Sequence, residues 1–83
     1  MRFIHSKAVI LGKVEIGEGT SVWPCAVLRA DEGDIKIGKN SNIQDCVVVH
    51  GPGVSIGDRV TIGHSCVIHG CRIGNDVLVG WAQ

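Results

Sequence analysis

The sequence predicts an all-β protein, a parallel β-helix of about four coils, and two observations of spacing support this. An aliphatic residue recurs about every six positions and is usually followed by glycine. Four positions after most of these residues stands a second small or β-branched residue. Because side chains alternate sides along a strand, inward positions four apart and then two apart fit a short strand followed by a tight turn. A helix would need apolar spacing near 3.6 residues, which the sequence does not show.

Three such strands make one triangular coil, so the aliphatic residues sort into three faces. The nine-residue step from Leu28 to Ile37 must extrude three residues as a corner loop around Ala30 to Asp34. We expect residues 1–10 to form a partial first coil or an arm, and residues 1–83 to form a single domain. The predicted faces are Ile16, Ile37, Ile56 and Ile73; Val22, Ile43, Ile62 and Val79; and Leu28, Val49 and Ile68.

Composition and charge exclude several classes of protein. Eight basic and eight acidic side chains give zero formal charge, which leaves no electrostatic footprint for nucleic acid or for an anionic membrane. The longest apolar stretches are four or five residues, so we expect no membrane span, no signal peptide and a cytoplasmic location. The four cysteines form no CxxC pair, which predicts reduced thiols. Cys25 and Cys46 should lie one coil apart, as a redox pair or an inert thiol ladder.

Two of the four histidines fall in one column. His50 follows Val49 by one position and His69 follows Ile68 by one position, so both point outward from one face on neighbouring coils. We expect their backbones to lie about 5 Å apart, with Arg29 one coil below. Two imidazoles stacked in this way can reach one metal ion.

The third histidine of this window lies elsewhere on the coil. His64 stands two residues after Ile62, near the corner of another face, where its own chain does not bring it to the His50 and His69 pair. A shared ion therefore requires His64 from a neighbouring molecule, and a three-sided prism favours a closed cyclic homotrimer. Three imidazoles leave one position open on Zn²⁺, as in catalytic sites. Fe²⁺ or Co²⁺ would suit the same ligands.

Four segments resemble, in order and spacing, the signature of γ-class carbonic anhydrases and their close relatives. They are VWPCAVLRADEG at 22–33, NIQD at 42–45, VVVHG at 47–51 and IGHSCVIHGC at 62–71. The resemblance implies a left-handed coil, an exception to the right-handed rule for parallel crossovers. It also implies an enzyme, a homotrimer that reversibly hydrates CO₂ to bicarbonate with a metal-bound hydroxide.

The resemblance also implies roles for particular residues. His50 and His69 of one subunit and His64 of the next would bind the metal. The side chains implied at the active site are Gln44 and Asn42, which would orient water or substrate, and Glu32, which would assist the reaction. The charges implied at the subunit interface are Arg29, Asp31 and Asp45. Each of these polar residues also has a plain structural interpretation, as a turn residue, a solvated side chain or a surface charge.

Two features depart from the family pattern. Well-characterised members carry an acidic loop after the first metal-binding histidine, whereas here Gly51-Pro52-Gly53 runs straight into the next repeat. Proton transfer through such a loop is therefore not expected. Members also continue through further coils to a C-terminal helix, so we expect a truncated chain that lacks this helix.

Two other functions stay open at this stage. A hexapeptide-repeat acyltransferase would use a histidine as general base and would bind a CoA thioester between subunits. A non-catalytic scaffold would bind metal at the trimer interface for assembly alone.

Overall fold

The computed structural model describes residues 1–80, which form eleven β-strands and no helix. Residues 81–83, the last of the predicted domain, lie outside this range. No helix within it is long and apolar enough to cross a membrane. The strands are β1 (Phe3–Ile4), β2 (Val9–Ile16), β3 (Ser21–Val22), β4 (Val27–Ile37), β5 (Asn42–Ile43), β6 (Val48–His50), β7 (Val54–Ile56), β8 (Thr61–Ile62), β9 (Val67–His69), β10 (Arg72–Ile73) and β11 (Leu78–Val79).

The strands pair in parallel and wind into a solenoid of about four turns, which confirms the predicted fold class. One sheet has the order β1-β3-β5-β8-β11, and the other has the order β10-β7-β4-β6-β9 with β2 against β4. The second sheet turns a corner, because β4 pairs with β6 through its first residues and with β7 through its last. The solenoid therefore has three faces, and the register stacks the aliphatic residues face by face as the spacing predicts.

The nine-residue step does extrude three residues, but as part of a strand. The register of β2 against β4 runs from Gly12 with Ala30 to Val14 with Ile35, so four residues of β4 face one residue of β2. The expected corner loop is instead a bulge inside β4, whose backbone stays extended from 27 to 37. A bulge of this kind bends the strand and redirects its side chains. It places Asp31 and Glu32 at the corner where β6 and β9 end.

The inward aliphatic side chains form one continuous core. They come from both predicted columns, the residues of the six-residue frame and the small residues four positions later, although Ile16, Ile73 and Val79 are only partly buried and Val77 is exposed. Burying each valine, leucine or isoleucine of this core contributes about 1.5–3 kcal/mol. The fully buried apolar members are Val22, Ala26, Leu28, Ile35, Ile43, Val47, Val49, Val60 and Ile62.

At one corner of the solenoid, residues on successive coils have a left-handed backbone conformation. Cys25 and Cys46 have φ angles of 64° and 61°, a region that non-glycine residues rarely adopt. Their backbone N–H groups donate to Lys7 O and Pro24 O, at 3.2 and 3.1 Å. The register of the flanking strands, Val22 with Ile43 and Val27 with Val48, confirms that the two cysteines occupy equivalent positions one coil apart. Both side chains are exposed and free.

A buried polar ladder links the coils at another corner, and it predicts a stability effect. The Ser41 hydroxyl donates to Gly57 O at 2.9 Å and accepts from the Val60 N–H at 3.1 Å, and Ser41 is 2 % exposed. We expect Ser41→Ala to lower the free energy of unfolding by about 1–3 kcal/mol, because the buried Val60 N–H loses its acceptor. Urea denaturation followed by circular dichroism measures this loss. Ser55→Ala, at an outward position, should change stability by less than about 0.5 kcal/mol. Equal effects of the two substitutions would contradict the role of the ladder.

Candidate metal centre

Two histidines stand side by side where strands β6 and β9 end. The parallel register pairs His50 with His69, as their equal offsets from Val49 and Ile68 predict. The centroids of the two imidazole rings lie 4.6 Å apart, with an angle of 74° between the ring planes. Arg29 pairs with His50 from the other side, one coil below. The regular register of the solenoid thus brings two imidazoles within reach of one ion.

A carboxylate joins this histidine pair. Glu32 lies on the bulge of β4, and its ligand oxygen and the ligand nitrogens of His50 and His69 all lie within 4.8 Å of one another. Glu32 and His69 are exposed, and His50 is half-buried. We call these three residues the Glu-His-His cluster.

The cluster has the chemistry of a site for a divalent metal. Imidazole nitrogens and carboxylate oxygens are the usual protein ligands of Zn²⁺, and they also suit Fe²⁺ and Co²⁺. The Nδ1 atom of His50 is buried and has no hydrogen-bond partner within residues 1–80. A buried nitrogen without a partner is unfavourable, so binding of a ligand at His50 would relieve this cost. The residues present therefore fit a metal ion.

An ion pair borders the cluster. The Arg29 Nη2 atom donates to Asp31 Oδ2 at 3.2 Å. This hydrogen bond holds the pKa of the Asp31 carboxyl below its usual range, and the nearby His50 acts in the same direction. Arg29 and Asp31 therefore pair within one chain, where they flank the histidines. Their predicted contacts across a subunit interface stay a prediction, as do those of Asp45, which is exposed at a corner of the coil.

The other predicted site residues lie on the five-stranded sheet. Asn42 belongs to β5, Gln44 follows that strand, and His64 follows β8, which pairs with β5. The strands that position them belong to a different sheet from those that carry the Glu-His-His cluster, and His64 is not among the residues of that cluster. The Asn42 Oδ1 atom is buried and lacks a hydrogen-bond partner within the described chain. Their roles at the metal require a second copy and stay predictions.

The sequence analysis missed an apolar column on the outward side of the face that carries the histidines. Four valines pair with one another in register along this face, although they point away from the core. The residues are Val9, Val27, Val48 and Val67. Val67 is 65 % exposed and Val9 is 43 % exposed. The signal was available, because each valine directly precedes an inward residue of the same face.

The equivalent column on the neighbouring face is polar. Its members, paired in register, are Glu15, Lys36, Ser55 and Arg72. A face of this composition suits contact with water. The valine column, in contrast, is a partly exposed apolar surface, with Val9 and Val67 exposed and Val27 and Val48 half-buried, and such surfaces can mark an interaction site.

Comparison with known proteins gives a consistent set of relatives, although no family model matches the chain. The sequence is 59 % identical over 80 residues to a protein of Methanocaldococcus jannaschii named a probable carbonic anhydrase, with 93 % of this chain and 50 % of that protein aligned. It is 42 % identical over 87 residues to the mitochondrial gamma carbonic anhydrase 2 of Arabidopsis thaliana, with 94 % of this chain and 31 % of that protein aligned.

A solved structure agrees with the fold. The crystal structure of a hexapeptide transferase family protein from Anaplasma phagocytophilum matches with a TM-score of 0.84 and 44 % identity. The match covers 95 % of this chain and 51 % of that one. The chain therefore spans about a third to a half of the length of these relatives.

Proposed function

We propose that this protein catalyses the reversible hydration of CO₂ to bicarbonate at a metal site shared between copies of the chain. The chain belongs to the γ-class carbonic anhydrase-like hexapeptide-repeat proteins. One observation carries the proposal: the parallel register places His50 and His69 side by side, with ring centroids 4.6 Å apart and the Glu32 carboxylate beside them.

Three histidines would hold the metal. His50 and His69 come from one chain, and His64 comes from the next chain of a homotrimer. When bound, Zn²⁺ with three protein ligands and one open position activates water at neutral pH, a chemistry for which carbonic anhydrase is itself the standard example. Fe²⁺ and Co²⁺ are alternatives, because imidazole suits several of these metals.

Other residues of the chain would orient the reactants and move the proton. The side-chain amides of Gln44 and Asn42 offer donors and acceptors that position water or CO₂ at the interface. The Oδ1 atom of Asn42 is available for this role, since no group within residues 1–80 pairs with it. Glu32 is exposed and lies beside the histidines, so it can accept a proton and pass it to solvent. This route replaces the acidic loop that the Gly51-Pro52-Gly53 turn does not provide.

The valine column supports the assembly. It runs parallel to the histidine column, with Val48 and Val67 two residues before His50 and His69, so covering it with a second copy also brings another chain to the metal ligands. The polar column of the neighbouring face would stay in water. A closed cyclic trimer repeats one such contact three times and leaves no valine column uncovered.

A second candidate function is acyl transfer. The hexapeptide transferase family structure is similar to this chain and favours it. An acyltransferase would bind CoA and would not need a metal, which separates it from the hydratase. A scaffold that uses metal only for assembly would differ from both enzymes because it would show neither activity.

Removal of the metal tests the proposal. We expect dialysis against a chelator to reduce CO₂ hydration to the uncatalysed rate, measured by stopped flow with a pH indicator. Adding back Zn²⁺ or Co²⁺ should restore the rate, because the histidine ligands remain in place. A hydration rate that does not respond to the chelator, or tight binding of CoA by the metal-free protein, would contradict the proposal.

A further inference from the structure

We infer that a single chain binds one divalent metal ion through Glu32, His50 and His69, and that His64 of a neighbouring copy displaces Glu32 when the copies assemble. The inference deepens the proposed function and rests on it for the second step. The first step stands on the cluster alone, since all three ligand groups belong to one chain and lie within 4.8 Å of one another.

The donor set is sufficient for binding without a partner. Two imidazoles and one carboxylate form a recognised ligand set for Zn²⁺ and for Fe²⁺, with the remaining positions open. The two imidazoles are held by the paired ends of β6 and β9, so they need little rearrangement. Such preorganisation favours binding because fewer side chains have to be ordered when the ion enters.

The bulge of β4 selects Glu32 from its acidic neighbours. Asp31 pairs with Arg29 at 3.2 Å, and Asp34 pairs with Lys13 at 3.7 Å. Glu32 instead reaches the two histidines. The geometry therefore gives Asp31 and Asp34 basic partners and directs the Glu32 carboxylate to the two histidines.

Exposure makes Glu32 a replaceable ligand. The Glu32 side chain lies at the surface of the chain, on residues that have no counterpart in the paired strand β2. It can turn away without disturbing the core. A third imidazole delivered across the valine column would then take its place, and the released carboxylate would be free to accept a proton.

Titration with Co²⁺ as the only added metal tests the inference, with binding followed by the visible absorption of the ion and by elemental analysis. Val27→Lys introduces a charge into the valine column one coil away from His50, so it yields single chains, and its protonated amine is not a metal ligand. We expect this variant to bind one Co²⁺ per chain. Adding Glu32→Gln should weaken binding by more than about tenfold, and adding His64→Ala should leave it unchanged.

The assembled protein should show the opposite pattern. There, His64→Ala should weaken Co²⁺ binding by more than about tenfold, and Glu32→Gln should have a small effect. Asp34→Asn is the matched control on the same bulge and should change neither affinity. Circular dichroism checks that each variant is folded. If Val27→Lys does not fold, dilution of the unchanged chain until it dissociates provides the single chains instead.

The outcomes separate this inference from the proposed function. Co²⁺ bound by the assembled protein but not by folded single chains would overturn the inference and leave the shared site intact. Equal affinity of single chains with and without the Glu32 carboxylate would overturn it as well. An absence of Co²⁺ binding in both states would overturn the inference and the proposed function together.

Discussion

Replacing His69 with alanine is expected to lower the metal affinity by more than about 100-fold and to reduce CO₂ hydration to the uncatalysed rate. Even outer partners of metal ligands change affinity by about 10–100-fold, so a direct ligand should matter more. His69 is exposed at the end of β9, and its removal leaves no cavity in the core. The expected loss is therefore one of chemistry and not of folding.

His5→Ala is the matched control for this variant. His5 is the one histidine that the site does not use, and its Nδ1 atom accepts a hydrogen bond from the Lys7 N–H at 3.0 Å. We expect this control to keep its metal and its hydration rate. Elemental analysis of dialysed protein and stopped-flow kinetics on the same samples measure both effects. Full metal content in folded His69→Ala would remove this residue from the ligand set.

Replacing Val27 with aspartate is expected to convert the proposed homotrimer into single chains of 8.8 kDa. A carboxylate buried in an apolar interface without a partner costs several kcal/mol, and the trimer would contain three of them. Val27 points outward from β4, so the core of the single chain is not changed. Light scattering across a size-exclusion peak measures the mass.

Ser55→Asp is the control for this second prediction. Ser55 occupies the outward column of the polar face, between Lys36 and Arg72, where an added carboxylate meets two cations. We expect it to remain a trimer with its normal hydration rate. A folded Val27→Asp variant that stays trimeric would show that the valine column is not the interface.

The sequence predicted the solenoid because a period of six residues fixes which side chains point inward. Once the aliphatic frame was assigned to three faces, the stacking of His50 on His69 followed from their equal offsets. No contact between distant coils had to be predicted, since each coil contacts only its neighbours. The same reasoning could have identified the valine column, whose members share one offset from the inward residues.

The position of Glu32 could not be derived in the same way. Spacing showed that three residues are extruded between Leu28 and Ile37, but not which way their side chains turn. That direction depends on β4 continuing as a strand through the bulge instead of forming a loop. The roles of His64, Asn42 and Gln44 are harder still, because they depend on a surface that one chain does not contain.

Mixed trimers test the central claim that the metal site is shared between neighbouring chains. His69→Ala keeps His64, and His64→Ala keeps His50 and His69, so neither variant alone can form a complete three-histidine site. Carrying the two chains on different affinity tags allows trimers that contain both to be isolated. In a cyclic trimer, every such mixture contains one complete site, whichever chain is in excess.

The quantities to measure in these mixed trimers are the rate of CO₂ hydration and the content of chelator-resistant metal. A shared site predicts about one third of the hydration rate and of the metal content of the unchanged trimer, from two variants that are each inactive. Folded mixed trimers with no more activity or tightly bound metal than their parents would contradict a site shared between chains.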